Sequence, residues 1–182
     1  MTQASNTQNE GVFSRVLVPV EFETARDGEV PAERAVHVGD GDPVVVGPCT
    51  VEAIVLAAHL SRGGALWLVH ATPDFRDHVG WTSPATLDEL ERGATRQAEA
   101  VLQAIARRHC PDANIHTVID RGRALDVIFS AADRCMPDAM VLAASGRSRV
   151  QRAFLGSTAD KLIRQARWPV IIVPVAMGRY SA

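Results

Sequence analysis

The sequence predicts an α/β domain with a doubly wound parallel sheet, and three observations support this fold class. Short apolar segments recur along the chain, and several are apolar on both faces, as in strands buried inside a parallel sheet. Segments with helical periodicity separate them. The chain has 182 residues, of which 47% are hydrophobic, and this is enough for one core of ordinary size.

Five strands are predicted from short runs rich in β-branched and apolar residues. The first is Arg15–Val20, in which Pro19 stands near the end of the strand, where a proline is tolerated. The other four are Ala65–Ala71, Asn114–Ile119, Ala139–Ala143 and Pro169–Val175.

Four helices are predicted between these strands. The clearest is Pro84–His109, which has an apolar stripe, a proline in its first turn and basic residues in its last turn. Val51–Ser61 is the earliest along the chain, with Thr50 placed as its N-cap. The remaining two are Ala124–Cys135 and Ser157–Arg167.

Strands that alternate with helices predict right-handed crossovers and a parallel sheet with helices on both faces. Numbering the predicted strands along the chain, we expect the five-stranded order 3-2-1-4-5, with the first strand in the centre.

The connection after the first strand is too long for this alternation. It runs from Glu21 to Cys49, whereas βα connections commonly have about 2 to 6 residues. Within it, Ala35–Val38 and Val44–Val46 flank the turn-forming residues Gly39–Asp42, and this pattern predicts a β-hairpin. We therefore expect a hairpin-like insertion, which could act as a lid, a plug or an interface.

The predicted domain spans residues 13–176 and contains the insertion at about residues 22–49. A polar, aperiodic N-terminal tail of residues 1–12 precedes it, and a C-terminal tail of residues 177–182 follows it.

Composition excludes several classes of partner from the expected function. The formal net charge is −2, so we expect no nucleic acid, because phosphate-binding domains are usually strongly basic. The apolar runs are far shorter than the roughly 20 residues of a membrane helix, so no membrane span is expected. The first residues lack the pattern of a secretory signal, which predicts a cytoplasmic location. Three widely spaced cysteines, Cys49, Cys110 and Cys135, are expected to be reduced core residues.

The loop after the fourth strand has the composition of a phosphate-binding loop. Ligands of doubly wound sheets bind beyond the carboxyl ends of the strands, where the strand order reverses. Small residues allow the backbone to approach phosphates, and a helix N-terminus favours an anion. Both features are found in Ala143-Ala144-Ser145-Gly146-Arg147 and in Gly156-Ser157-Thr158 at the start of the last helix.

The stretch DAMVLAASGRSRVQRAFLGSTADKLIRQARWPVIIVPV resembles the carboxyl half of universal stress proteins, and RVLVPVE resembles their first strand. Nucleotide-binding members of that family carry Gly-x2-Gly-x9-Gly-Ser/Thr. The last two elements match at Gly146, Gly156 and Ser157, whereas Ala143 stands in place of the first glycine. The resemblance spans about residues 14–175 apart from the insertion.

The resemblance implies that the chain binds ATP or a related adenine nucleotide, with Mg²⁺ as a companion of the nucleotide. Pro19, Val20 and Glu21 would face the adenine and the ribose. Leu142 and Ala143 would face the ribose. The phosphates would meet Gly146, Gly156, Ser157 and Thr158, with Arg147 near them as a phosphate-pairing guanidinium. A homodimer through the last strand, Pro169–Val175, is implied as well.

Two positions depart from the family pattern. Glu21 stands where aspartate is usual, so the carboxylate reaches one methylene further. Ala143 adds a methyl group where the backbone would approach the ligand.

Three functions remain open from the sequence. The first is a stress-associated, nucleotide-binding regulatory module that acts as a homodimer. The second is a nucleotide-free dimeric interaction protein of the same fold. The third is a nucleotide-hydrolysing enzyme, although the chain contains neither a nucleophile elbow nor a Walker lysine motif. We therefore expect no enzyme activity and no dedicated metal site, and we expect His70, at the end of the second strand, to lie in the core or at its rim.

Overall fold

The computed structural model describes residues 12–24, 35–38, 43–75, 83–144 and 157–174. The strands in these ranges are β1 Arg15–Pro19, β2 Phe22–Thr24, β3 Ala35–Val36, β4 Val44–Val46, β5 Ala65–Thr72, β6 Asn114–Arg121, β7 Ala139–Ala143 and β8 Val170–Val173. The helices are α1 Pro48–Leu60, α2 Pro84–His109, α3 Ala124–Cys135 and α4 Ser157–Gln165.

The main sheet has the order β6-β5-β1-β7-β8, and every neighbouring pair is parallel. This confirms the predicted five-stranded, doubly wound sheet with the first strand in its centre. Val16 and Val18 on β1 are buried in one hydrophobic cluster with α1 and α2, whereas Leu17 is buried in a second cluster with α3 and α4. The sheet is therefore covered by helices on both faces.

The predicted start of the first helix is wrong. The helix begins at Pro48, and its N-cap is Gly47 rather than Thr50. Proline suits the first helical position because its missing N–H has no partner there, and glycine is an acceptable N-cap. Thr50 lies inside the first turn, where its backbone N–H donates to the Gly47 carbonyl over 3.0 Å.

The other helices agree better with their periodicity. α2 and α3 have the predicted bounds, and the Ser83 side chain caps α2 by accepting a hydrogen bond from the Thr86 N–H over 3.2 Å. α4 ends at Gln165, two residues before the predicted Arg167. No helix in the described ranges is long and apolar enough to cross a membrane.

The insertion forms a second sheet of three antiparallel strands in the order β2-β4-β3. The pairing of β3 with β4 confirms the predicted hairpin, while Gly39–Asp42 between them lies outside the described residues. β2 was not predicted, because three residues are too few to show a period of two. Val44 and Val46 are buried in the same cluster as α1 and α2, so these strands extend the core of the domain.

The three cysteines are buried, as predicted for core residues. Burial raises the pKa of the thiols of Cys110 and Cys135, which keeps them protonated at neutral pH. They act as small apolar residues in the packing of the core.

A close approach of two backbones makes Gly64 the most sensitive glycine of the described structure. A Cβ at this position would stand 2.2 Å from the Ser14 carbonyl oxygen. That oxygen cannot move freely, because it accepts a hydrogen bond from the Ala65 N–H over 2.7 Å. We expect Gly64→Ala to lower the free energy of unfolding by about 1 to 3 kcal/mol in urea denaturation.

Gly93 provides the matched control for this prediction. It lies within α2, and a Cβ there meets no atom within 4 Å. Gly93→Ala should raise the free energy of unfolding by about 0.5 to 1 kcal/mol, because alanine loses less backbone entropy in a helix. Equal stability of Gly64→Ala and the wild type would contradict the packing described for this turn.

Candidate functional site

The candidate site lies at the carboxyl edge of the sheet, where β1 and β7 end side by side. Leu17 on β1 is paired with Met140 on β7, so two residues further along Pro19 is level with Leu142. The chain passes from β1 to β5 on one side and later adds β7 on the other side. The crevice between β1 and β7 is therefore the switch point at which doubly wound sheets bind ligands.

The residues at the end of β1 are firmly placed. Val20 is buried, and its backbone N–H donates to the Val69 carbonyl over 2.8 Å. Pro19 is half-buried, whereas Glu21 is exposed directly after the strand. The structure thus places the half-buried Pro19 and the exposed Glu21 close together at the end of the strand, with Val20 buried between them.

The residues at the end of β7 differ in what they present. The Leu142 side chain is only 4% exposed and packs in the cluster with α3 and α4, so only its backbone can contact a ligand at the edge. Ala143 is half-buried. Met136 is the one non-glycine residue with a positive φ in the described ranges, so Ala143 has a backbone conformation that suits any L-residue. Its methyl group is therefore the only difference from a glycine at this position.

The start of α4 faces the same edge. α4 follows β7 and precedes the parallel strand β8, so it must run back from the carboxyl edge and its N-terminus lies there. Ser157 and Thr158 are exposed at this N-terminus, while Leu162 is buried and anchors the helix on the core. The remaining predicted site residues, Gly146, Arg147 and Gly156, lie outside the described residues.

His70 on β5 is a further residue at this edge, and it contacts both neighbours of Glu21. Its Nδ1 lies 2.9 Å from the Val20 carbonyl oxygen, so Nδ1 carries the proton and donates it. Its ring stacks on Phe22 with a centroid distance of 4.0 Å and an interplanar angle of 13°. The sequence indicated a position in the core or at the rim, but it gave no signal for Phe22 as the partner.

Burial lowers the pKa of His70, while the hydrogen bond to Val20 and the charge of Glu21 raise it to a smaller extent. The imidazole is therefore neutral at pH 7 and donates through Nδ1.

Glu21 and Glu23, the two carboxylates that follow β1, are both exposed. Within the described ranges, no group of three or more His, Cys, Asp or Glu side chains is arranged to hold a metal ion.

The pKa of His70 makes the stability of the fold depend on pH. The unfolded chain takes up a proton near the ordinary value of 6.5, whereas the folded protein takes it up only at lower pH. Stability is therefore complete above about pH 6.5 and falls as the pH falls. We expect His70→Asn to reduce this fall, as measured by urea denaturation between about pH 7.5 and pH 5.

Burial also lowers the pKa of His109, so part of the slope should remain in His70→Asn. The double variant with His109→Asn should be flatter still. An identical slope in the wild type and in His70→Asn would show that His70 does not titrate in this way.

Comparisons with known proteins agree with this architecture. A curated relative, "Universal stress protein in QAH/OAS sulfhydrylase 3'region" from Thermus aquaticus, is 28% identical over 121 residues, which are 66% of this chain and 85% of that protein. The structure of the universal stress protein UspA from Lactobacillus plantarum has a TM-score of 0.60 at 19% identity, and the match covers 90% of this chain and 99% of the other.

A second structure that shares the fold is that of a universal stress protein family protein from Arabidopsis thaliana with AMP bound. It has a TM-score of 0.52 at 19% identity, and the match covers 88% of this chain and 91% of the other. The sequence profile described as the universal stress protein family matches residues 12–174. The chain therefore belongs to the universal stress protein family.

Proposed function

We propose that this protein is a non-catalytic regulatory module that binds ATP or a related adenine nucleotide and acts as a homodimer in the cytoplasm. The observation that carries the proposal is the meeting of three groups at the switch point. These are the end of β1 with Glu21, the end of β7 with Ala143, and the N-terminus of α4 with Ser157. The AMP in the Arabidopsis thaliana structure of the same fold supports an adenine nucleotide as the ligand.

The chemistry of the described residues suits the three parts of a nucleotide. Pro19 would offer an apolar surface to the base, whereas the buried Val20 would contact it only through its backbone. The Glu21 carboxylate would accept hydrogen bonds from ribose hydroxyls. The first N–H groups of α4, with the hydroxyls of Ser157 and Thr158, would bind phosphate oxygens, since these N–H groups have no partner within the helix. The predicted Gly146, Arg147 and Gly156 would complete the phosphate site, and Mg²⁺ would enter with the nucleotide.

The described side chains at the site favour nucleotide binding without hydrolysis. A carboxylate and two hydroxyls at the edge are suited to hold a nucleotide by hydrogen bonds. His70 donates its Nδ1 proton to the Val20 carbonyl and stacks on Phe22. Its ring is thereby engaged in holding the protein backbone.

A nucleotide-free interaction protein is the second candidate. The observation in its favour is that the insertion packs beside the same edge, through the contact of Phe22 with His70. In that case the three-stranded sheet of the insertion, rather than a small molecule, would determine which partner is recognised.

Ser157→Asp tests the phosphate site without removing the helix. An acidic side chain stabilises the first turn of a helix, so the variant should fold as well as the wild type. Its charge should repel phosphates, and we expect the dissociation constant for ATP to rise about tenfold or more, with a smaller rise for AMP. Isothermal titration calorimetry with ATP, ADP and AMP, each with and without Mg²⁺, measures these changes.

Ser83→Asp is the matched control, because it places the same charge at the N-cap of α2. It should leave nucleotide affinity unchanged. A wild-type protein that shows neither copurified nucleotide nor a thermal shift with these nucleotides would favour the nucleotide-free candidate.

The proposed dimer is tested on the edge strand β8. Ile172 is 38% exposed on this strand, and a lysine there would discourage pairing with a second copy. We expect Ile172→Lys to shift the protein to monomer in sedimentation velocity at micromolar concentration. Leu90→Lys, at a position on α2 that is 46% exposed, is the control and should leave the mass unchanged. A wild-type monomer, or a dimer that persists in Ile172→Lys, would argue against this interface.

A further inference from the structure

We propose that His70 is a positioning residue for Glu21. His70 holds the backbone on both sides of this carboxylate and thereby strengthens the preference of the site for ribose over deoxyribose. The inference rests on the proposed nucleotide site, and it assigns a residue from β5 to a site otherwise built from β1, β7 and α4.

The first contact fixes the peptide group from which Glu21 starts. The Val20 carbonyl and the Glu21 N–H belong to one rigid, planar peptide unit. His70 Nδ1 donates to that carbonyl over 2.9 Å. The Val20 N–H donates to the Val69 carbonyl over 2.8 Å, so both ends of Val20 are bound to β5. The orientation of the peptide before Glu21 therefore depends on His70.

The second contact fixes the residue after Glu21. Phe22 begins β2, where it is paired with the buried Val46 on β4. Its ring stacks on His70 at a centroid distance of 4.0 Å and an interplanar angle of 13°, so the two rings are in direct contact. Glu21 is thus a single residue between Val20 and Phe22, which both contact the His70 ring.

These two contacts fix the backbone from which the Glu21 side chain extends. The Glu21 charge raises the pKa of His70 against the larger effect of burial, which places the carboxylate within electrostatic reach of the ring. A glutamate has one more rotatable bond than the aspartate usual in the family, so it has more conformations to lose on binding. A backbone that is already fixed adds no loss of its own on binding and keeps the start of this side chain near the ribose hydroxyls.

Two substitutions separate the two contacts of the ring. His70→Phe keeps an aromatic ring for Phe22 but removes the N–H donor, whereas His70→Asn keeps an N–H donor near the Nδ1 position but removes the ring. The probe is the ratio of the dissociation constants of 2′,3′-dideoxy-ATP and ATP, measured by calorimetry at pH 7.5. A role confined to folding would change both constants equally and leave the ratio unchanged.

We expect the wild type to bind ATP about tenfold more tightly than 2′,3′-dideoxy-ATP, because a hydrogen bond from a ribose hydroxyl to a carboxylate contributes about this factor. Glu21→Gln should lower this ratio, and His70→Phe should lower it by about threefold or more. In the double variant, His70→Phe should cause no further decrease, because it acts through Glu21. His70→Asn should retain more of the ratio than His70→Phe.

His59→Phe is the matched control for the loss of such a hydrogen bond. His59 is an exposed histidine on α1 whose Nδ1 lies 2.8 Å from the Val55 carbonyl oxygen. Its replacement should leave the ratio unchanged.

The outcomes separate this inference from the proposed function. If no adenine nucleotide binds the wild type, both fail. If nucleotides bind but Glu21→Gln leaves the ratio unchanged, Glu21 does not bind the ribose hydroxyls. The inference then fails, while the proposed function stands. If Glu21→Gln lowers the ratio and His70→Phe does not, His70 supports the fold alone, and the inference again fails.

Discussion

The burial of both faces of β1 is the constraint on which the rest of the structure depends. Val16, Leu17 and Val18 are all 0% exposed, and they alternate between two hydrophobic clusters. Two helix layers are therefore needed, and right-handed crossovers then bring the carboxyl ends of the parallel strands to one edge. Glu21 and Ser157, which are distant in sequence, share that edge for this reason. The candidate site is thus a consequence of how the centre of the sheet is covered.

The insertion is part of this packing, although in sequence it is an overlong connection. Its apolar residues Val44 and Val46 complete the cluster formed with α1 and α2. Phe22 joins it to the sheet by stacking on His70. Because only two residues separate the end of β1 from the start of β2, the insertion also determines the direction in which the chain leaves the site. This packing gives the insertion a structural role beside the site, in addition to the predicted roles of lid, plug or interface.

Periodicity predicted the alternation of strands and helices and the bounds of α2 and α3, because the apolar stripe of a long element is visible in the sequence. The features that escaped prediction depend on single residues or on distant contacts. The start of α1 is decided by Gly47 and Pro48 rather than by an apolar stripe. At the site, the ends of β1 and β7 were predictable because ligands of doubly wound sheets bind beyond the carboxyl ends of the strands. The direction of the Leu142 side chain was not predictable, because β7 is apolar throughout and its sequence does not show which side chains face the core. The contact of His70 with Val20, 50 residues apart, requires the tertiary structure.

The central position of β1 also has a consequence for how the chain folds. β1 is synthesised early, yet the Arg15 N–H at its start is held by the Asp138 carboxylate, 123 residues later in the sequence. At ribosomal rates, the interval between their synthesis is on the order of ten seconds. Throughout that time an apolar strand lacks one of its two neighbours. The hairpin strand β4 and helix α1, which pack in the same cluster as β1, are synthesised well before β7. The contact of Asp138 with the start of β1 therefore marks the step at which β1 gains its second neighbour.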